Sequence, residues 1–251
     1  MTVSADPTRC EPAAAEPGRS WLWTRRLVQL YLGLVLYGVS AAMMVRARLG
    51  LDPWDVLHQG IAHRTGYAIG TVSVAVGALV LLLWLPLPQR PGLGTVSNVL
   101  VVGLAMNQAL LWLPAQHDFA AQLAMLVGGI ALCGLATGMY ISAGLGPGPR
   151  DGLMTGYARR TGLSIRLTRT VLELTVLGAG WLLGGSVGLG TLLFAVWIGP
   201  LSQLSLRLMA IPGVPISRSA AEAEPEPVSH PHRRPGPARW RTVRPRSRTR
   251  D

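Results

Sequence analysis

Leu145-Gly146-Pro147-Gly148-Pro149-Arg150-Asp151-Gly152-Leu153 is polar, broken by glycine and proline, and flanked on both sides by apolar runs long enough to cross a bilayer. Irregular backbone of that kind is tolerated in hydrocarbon only where the rest of the protein satisfies its amides and carbonyls. The stretch has a counterpart 96 residues earlier, Leu49-Gly50-Leu51-Asp52-Pro53-Trp54-Asp55-Val56-Leu57. The correspondence continues without a gap: Gly60 pairs with Gly156, Ala62 with Ala158, Arg64-Thr65-Gly66 with Arg160-Thr161-Gly162, and Ile69 with Ile165. Half of positions 49–70 are identical at this offset, against roughly one in ten for unrelated stretches of ordinary composition. The chain is therefore an internal duplication.

Working outward, each copy of the break is followed by a short helix, over about 53–65 and 149–161. At ~1.5 Å per residue such a helix is too short to cross a bilayer, so it lies in the interface or re-enters. Around these breaks the sequence predicts six transmembrane helices, over 27–45, 67–87, 93–113, 119–142, 167–184 and 187–209. The first could be mistaken for a signal peptide, because Ser40-Ala41-Ala42 resembles a cleavage site. Leu27, Leu30, Gly33, Gly38 and Ala47 recur, however, as Leu123, Leu126, Gly129, Gly134 and Ala143. A segment with a counterpart inside the protein is expected to be kept. The membrane domain then covers 27–209, with one repeat at 27–115 and the second at 119–209.

Composition agrees with this reading. Of 251 residues, 49% are hydrophobic and only 14% charged, and the mean hydropathy is +0.36, the profile of a multi-pass membrane protein. Residues 1–26 read as a disordered tail ending in a juxtamembrane border of Trp21, Trp23, Arg25 and Arg26. Residues 210–251, rich in Pro, Glu, Ser and Arg, read as a second disordered tail whose arginines suit anionic lipid headgroups. Nucleic acid is not an expected partner; the tail is read first as a solvated, topology-setting segment. Every one of the 23 basic residues is arginine. With the N-terminus cytoplasmic, Arg25, Arg26, Arg90, Arg150, Arg159, Arg160, Arg166 and Arg207 fall inside and only Arg46, Arg48 and Arg64 outside, so both termini are expected in the cytoplasm of a bacterial inner membrane. Three crossings per copy is an odd number. The second copy must then enter from the opposite face, as an inverted repeat.

Two readings are open for the chemistry of the breaks. In the structural one, Pro53 and Pro149 start the short helices, Asp55 and Asp151 accept from free amides near the third helical position, and Gly66 and Gly162 end them. Gly50 and Gly146 supply the flexible approach. In the functional one, the two helix N-termini form a binding site, as in inverted-repeat transporters. The copies differ there: Trp54 stands opposite Arg150 and His58 opposite Met154. Such a site would join an aromatic wall to a cation. Glu173 is the one acidic residue inside a predicted span and is a candidate for ion or proton coupling, although Arg169 four residues earlier can pair with it. The candidate substrate or ion ligands are thus Trp54, Asp55, His58, Arg150, Asp151 and Glu173. Gly146-Pro147-Gly148 is no phosphate loop, since the G-x-x-x-x-G-K-[ST] pattern is missing. Cys10 and Cys133 make no disulfide framework, the five histidines show no zinc spacing, and neither a cofactor motif nor a nucleophile-base pair is present.

Through Gly50-Leu51-Asp52-Pro53-Trp54-Asp55 and Gly146-Pro147-Gly148-Pro149-Arg150-Asp151-Gly152-Leu153 the chain resembles the YczE/YyaS/YitT-type bacterial membrane proteins, most closely the YczE-like group. The resemblance covers about 27–210. Asp52 departs from it, standing where a small residue is expected and leaving the first motif more acidic. The resemblance implies a bacterial multi-pass membrane protein and supplies neither substrate nor catalytic residues. The expectation is an all-α transporter or permease-like protein for a small solute, anionic solutes included. The alternative is a scaffold or accessory protein whose glycine-rich faces receive partner helices.

Overall fold

The computed structural model describes residues 19–87, 89–212 and 214. The expectations for tails over 1–18 and 215–251 lie outside the described residues. Within them the chain is helical: α1 (Arg19–Ala47), α2 (Pro53–Thr65), α3 (Ile69–Leu82), α4 (Leu93–Trp112), α5 (Phe119–Ser142), α6 (Pro149–Thr161), α7 (Ile165–Leu182) and α8 (Leu189–Met209). Helices α2, α3 and α4 start 96 residues before α6, α7 and α8 respectively. The short helices have the expected punctuation. Pro53 and Pro149 open them, where the missing amide would have had no partner. Gly66 at φ 78° and Gly162 at φ 74° close them in the left-handed region, where a Cβ would be strained.

Packing recurs in pairs. Helix α1 packs on α4 as α5 packs on α8, α2 packs on α7 as α6 packs on α3, and α1 and α5 pack on each other. Small residues bring the long helices together. A Cβ on Gly38 would meet the backbone of Val102 and Met106, one on Gly33 the backbone of Tyr140, and one on Gly134 the side chain of Leu201. The directions follow from which residues meet. Tyr31 reaches Ser97 and Arg46 reaches the Leu110 carbonyl, so α1 and α4 run parallel. Arg26 donates to the carbonyls of Ala143 and Gly144, and Gln116 to that of Arg46, so α1 and α5 run antiparallel. One core gathers Met44, Leu51, Val56, Leu126, Ile130 and Phe194 where α1, α5 and α8 meet; another gathers Leu30, Leu34, Val102 and Tyr140.

Helix α1 starts at Arg19, eight residues before the expected span. Arg25 lies 5.6 Å over the Trp21 ring and Arg26 4.7 Å over that of Trp23, so the juxtamembrane border is itself helical. Among the described residues four helices, α1, α4, α5 and α8, are long and apolar enough to cross a membrane. Joining α2 and α3, which bend by 114° at their break, gives a fifth candidate. The second and fifth expected spans are thus the weak ones. Helix α3 has 14 residues, or ~21 Å, against the ~30 Å of a hydrocarbon core. Helix α7 carries Arg166, Arg169 and Glu173 within its 18 residues.

Candidate functional site

Each break is held by the other half of the chain. The amide of Gly190, at the start of α8, donates to Leu49 O at 2.7 Å, and that of Gly94, at the start of α4, donates to Leu145 O at 2.8 Å. These bonds are equivalent under the repeat. Thr95 adds a bond to the Pro147 carbonyl at 2.8 Å, and Leu51 N one to Ser186 O at 3.3 Å. Glycine at 92, 94, 188 and 190 is needed because the opposite break lies against these positions. The irregular backbone that hydrocarbon forbids is satisfied in this way.

Held so, the N-termini of α2 and α6 meet. Arg150 Nη1 lies 3.5 Å from Asp52 Oδ1, and its guanidinium stacks 5.5 Å from the Tyr37 ring. A cavity of about 70 Å³ adjoins the junction, lined by Tyr37 and Ala41 of α1, Asn98, Val99 and Val102 of α4, and Asp52, Trp54, Asp55, His58, Tyr140, Gly148 and Arg150. A second cavity, of about 160 Å³, is lined by Trp54, Tyr140, Arg150, Asp151, Arg169, Glu173 and, on α8, Ser202 and Gln203. Trp54, Tyr140 and Arg150 therefore face both cavities. Tyr37 and Ala41 stand well inside α1, and Val102 near the middle of α4.

All six candidate residues line one cavity or the other. The amide-accepting role expected of Asp55 and Asp151 is corrected. It is Asp52 that accepts from the amides of Trp54 and Asp55, at 3.1 and 3.4 Å. Asp55 Oδ1 instead faces His58 Nδ1 at 3.0 Å, both residues being buried. Asp151 Oδ2 accepts from the Tyr140 hydroxyl at 3.1 Å, and α6 has no side-chain cap. A carboxylate three residues before His58 or eleven after Tyr140 had a better donor than its own helix. Glu173 keeps the local partner foreseen for it, Arg169 Nε at 3.0 Å, while facing the second cavity. Asp52, Tyr37, Tyr140 and Asn98 belong to the site and were not singled out as ligands by sequence. The one signal was Asp52 as a departure from the family pattern; the others are ordinary residues of apolar spans until the fold gathers them.

Residues 24–207 match the family described as a family of unknown function, DUF6198. The chain belongs to this family. An uncharacterized protein of Haemophilus influenzae is 39% identical over 210 residues, covering 80% of this chain and 96% of its own. The uncharacterized membrane protein YczE of Bacillus subtilis is 32% identical over 204 residues, 80% of this chain and 94% of its own. The uncharacterized protein YyaS of Bacillus subtilis is 22% identical over 169 residues, 64% and 83% of the two chains. No solved structure matches. These relatives agree with the YczE-like resemblance, and with the apolar helices they make the chain a multi-pass membrane protein.

Proposed function

We propose that the chain is a transporter, built as two inverted repeats with six crossings, that carries a small polar solute past the junction of α2 and α6. The observation that carries this reading is the meeting of Asp52 and Arg150 between two cavities. Structural repeats that interlock through broken helices, with helix N-termini turned toward a common site, are the architecture of inverted-repeat carriers. The antiparallel course of α1 and α5 supports inversion. The parallel course of α1 and α4 supports an odd number of crossings per repeat, since the chain between them has to return through α2 and α3. An orientation with α1 entering from the cytoplasm puts the basic surplus inside, which supports the reading of both termini in the cytoplasm of a bacterial inner membrane.

Trp54, Tyr140 and Arg150 then form the wall between the two cavities, and a rocking of one repeat against the other opens it to each side in turn. The scaffold alternative is less well supported. Gly33, Gly38, Gly129, Gly134 and Gly138, which a scaffold would offer to partner helices, are used in contacts within the chain.

The test is uptake of radiolabelled acetate, lactate, glycine, choline and phosphate into proteoliposomes holding the purified protein. At least one should enter faster than into empty vesicles, and Arg150→Ala or Asp151→Asn should abolish that uptake while the protein stays folded. Uptake indistinguishable from empty vesicles across the series, or unchanged by both variants, would sink the proposal.

A further inference from the structure

Asp52, Asp55 and His58 of the first copy stand where the second has Gly148, Asp151 and Met154, and all three line the smaller cavity. Asp52 is 2% exposed, and Asp55 and His58 are 7% exposed each. The carboxyls of Asp52 and Asp55 are close enough to interact directly. The arginine on this cavity is Arg150 of the other copy, held 3.5 Å from Asp52 Oδ1 with its side chain 27% exposed. With His58 neutral, the described residues lining the cavity carry two negative charges and one positive. Buried charge is costly unless it is balanced, so the site is short of one cation.

Independently of charge, the same cavity has acceptors that nothing uses. His58 Nδ1 meets Asp55 Oδ1 at 3.0 Å, and an imidazole that turns one N–H to a carboxylate keeps its other nitrogen as an acceptor. That nitrogen, Nε2, makes no hydrogen bond. Nor is it sealed in the packing, as the unpartnered Tyr37 hydroxyl and Trp54 N–H are. With 9% of its side chain exposed and the cavity beside it, His58 opens this nitrogen onto the cavity. Asp55 Oδ2 is in the same position, since it takes no hydrogen bond from the described residues and is not enclosed.

We infer that the solute carries a small primary ammonium group, which donates to Asp55 and to His58 Nε2 while Asp52 shares its charge. This inference rests on the reading of the junction as a solute site. Among the described residues no His, Cys, Asp and Glu set is gathered tightly enough to hold a metal ion, whereas an ammonium group spreads three donors to acceptors at about 2.9 Å. Tyr37, Trp54 and Tyr140 line the same cavity, and aromatic faces attract cations. Tyr37 already does so for the Arg150 guanidinium, 5.5 Å from its ring. Arg150 therefore holds part of the solute's place from the opposite repeat, and the solute displaces it toward the second cavity, which Arg150 also lines. A cavity of about 70 Å³ admits only a few heavy atoms beyond the ammonium.

Equilibrium binding tests it apart from flux. The unfolding midpoint of the detergent-purified protein is followed against methylammonium chloride, tetramethylammonium chloride and sodium chloride at matched ionic strength. Methylammonium should raise the midpoint in a saturable way, and the other two, which have no N–H to donate, should not. Asp55→Asn, which removes the charge and keeps the shape, should weaken the methylammonium response about tenfold, the size of one lost hydrogen bond to a charged group. Arg150→Gln, which removes the competing cation, should strengthen that response several-fold, a gain that mere structural damage does not produce; this variant serves alone if the first misfolds. No saturable response to methylammonium, an equal response to tetramethylammonium or sodium, or a methylammonium response unchanged or weakened in Arg150→Gln would overturn the inference. Methylammonium binding without entry of methylammonium or glycine into vesicles would sink the transport reading and leave this one standing. Uptake restricted to a solute without a primary ammonium group, with no methylammonium binding, would do the reverse.

Discussion

Arg150 Nη1 lies 3.5 Å from Asp52 Oδ1, and the two residues come from opposite halves of a duplicated chain. Asp52 has two tasks at once, since the same Oδ1 accepts from the amides of Trp54 and Asp55. Its carboxylate is 3% exposed and the Arg150 side chain 27%, so the pair is neither a surface ion pair nor a sealed one. Asp52→Ala is expected to destabilise by ~1–2 kcal/mol through the lost cap alone, and further through the arginine left unpaired. Arg150→Gln should cost less. In a double-mutant cycle the two should couple by up to ~1 kcal/mol, the range for partly exposed pairs. Unfolding in mixed micelles measures this, and strictly additive losses would separate the two halves energetically.

The buried Asp55–His58 contact predicts a second asymmetry. Its equivalent in the other half is Asp151 with Met154, and there the carboxylate has turned to Tyr140. His58→Ala leaves Asp55 buried without its partner and should cost ~1–3 kcal/mol, whereas His58→Asn should recover part of that by keeping a donor. Met154→Ala should show only the cost of a lost apolar contact and no rescue by Asn. Equal behaviour of the two histidine variants would mean that the contact at 3.0 Å is incidental.

Helix α2 rests on α7 through two glycines. A Cβ on Gly60 would come 2.6 Å from the Gly180 carbonyl oxygen, and one on Gly180 would come 2.5 Å from the Leu57 amide nitrogen. Neither neighbour is the end of a flexible side chain, so α2 has to move. Alanine at either position should destabilise by ~1–3 kcal/mol, as overpacking does. In the other half Trp84 replaces Gly180 under the repeat, donates to the Pro149 carbonyl at 3.1 Å, and lays its ring against Gly152 of α6. Gly178→Ala, which meets open space on α7, is the control and should be near neutral. A loss of the same size in the control would assign the effect to the helix itself.

Much of this architecture can be read from residue identities alone. Leu49-Gly50 repeating as Leu145-Gly146, proline at 53 and 149, and glycine at 66 and 162 place both short helices, because proline and glycine act through local backbone geometry. What stays hidden is anything decided across the repeats. Nothing in Gly94 or Gly190 announces a bond to the opposite break, and Tyr37, Asn98 and Tyr140 look like ordinary residues of apolar helices. The cap was misassigned for a related reason. Asp52 and Asp55 both stand where a carboxylate can serve the start of α2, and only the fold supplies His58 and Arg150 as rivals for them. Span count was legible for the four long helices, whose apolar length suffices. The spans expected at α3 and α7 are a different case, since the shortness of α3 and the charges of α7 keep each, taken alone, out of that set.

The most direct test of the central claim, two repeats inserted in opposite directions, is the sidedness of one equivalent pair. Tyr67 and Leu163 follow the two terminating glycines and are 68% and 45% exposed. With Cys10 and Cys133 replaced, Tyr67→Cys and Leu163→Cys are treated in intact cells with a membrane-impermeant maleimide. The account predicts labelling of position 67 from outside and of position 163 only after the membrane is opened. Labelling of both from the same side would contradict it.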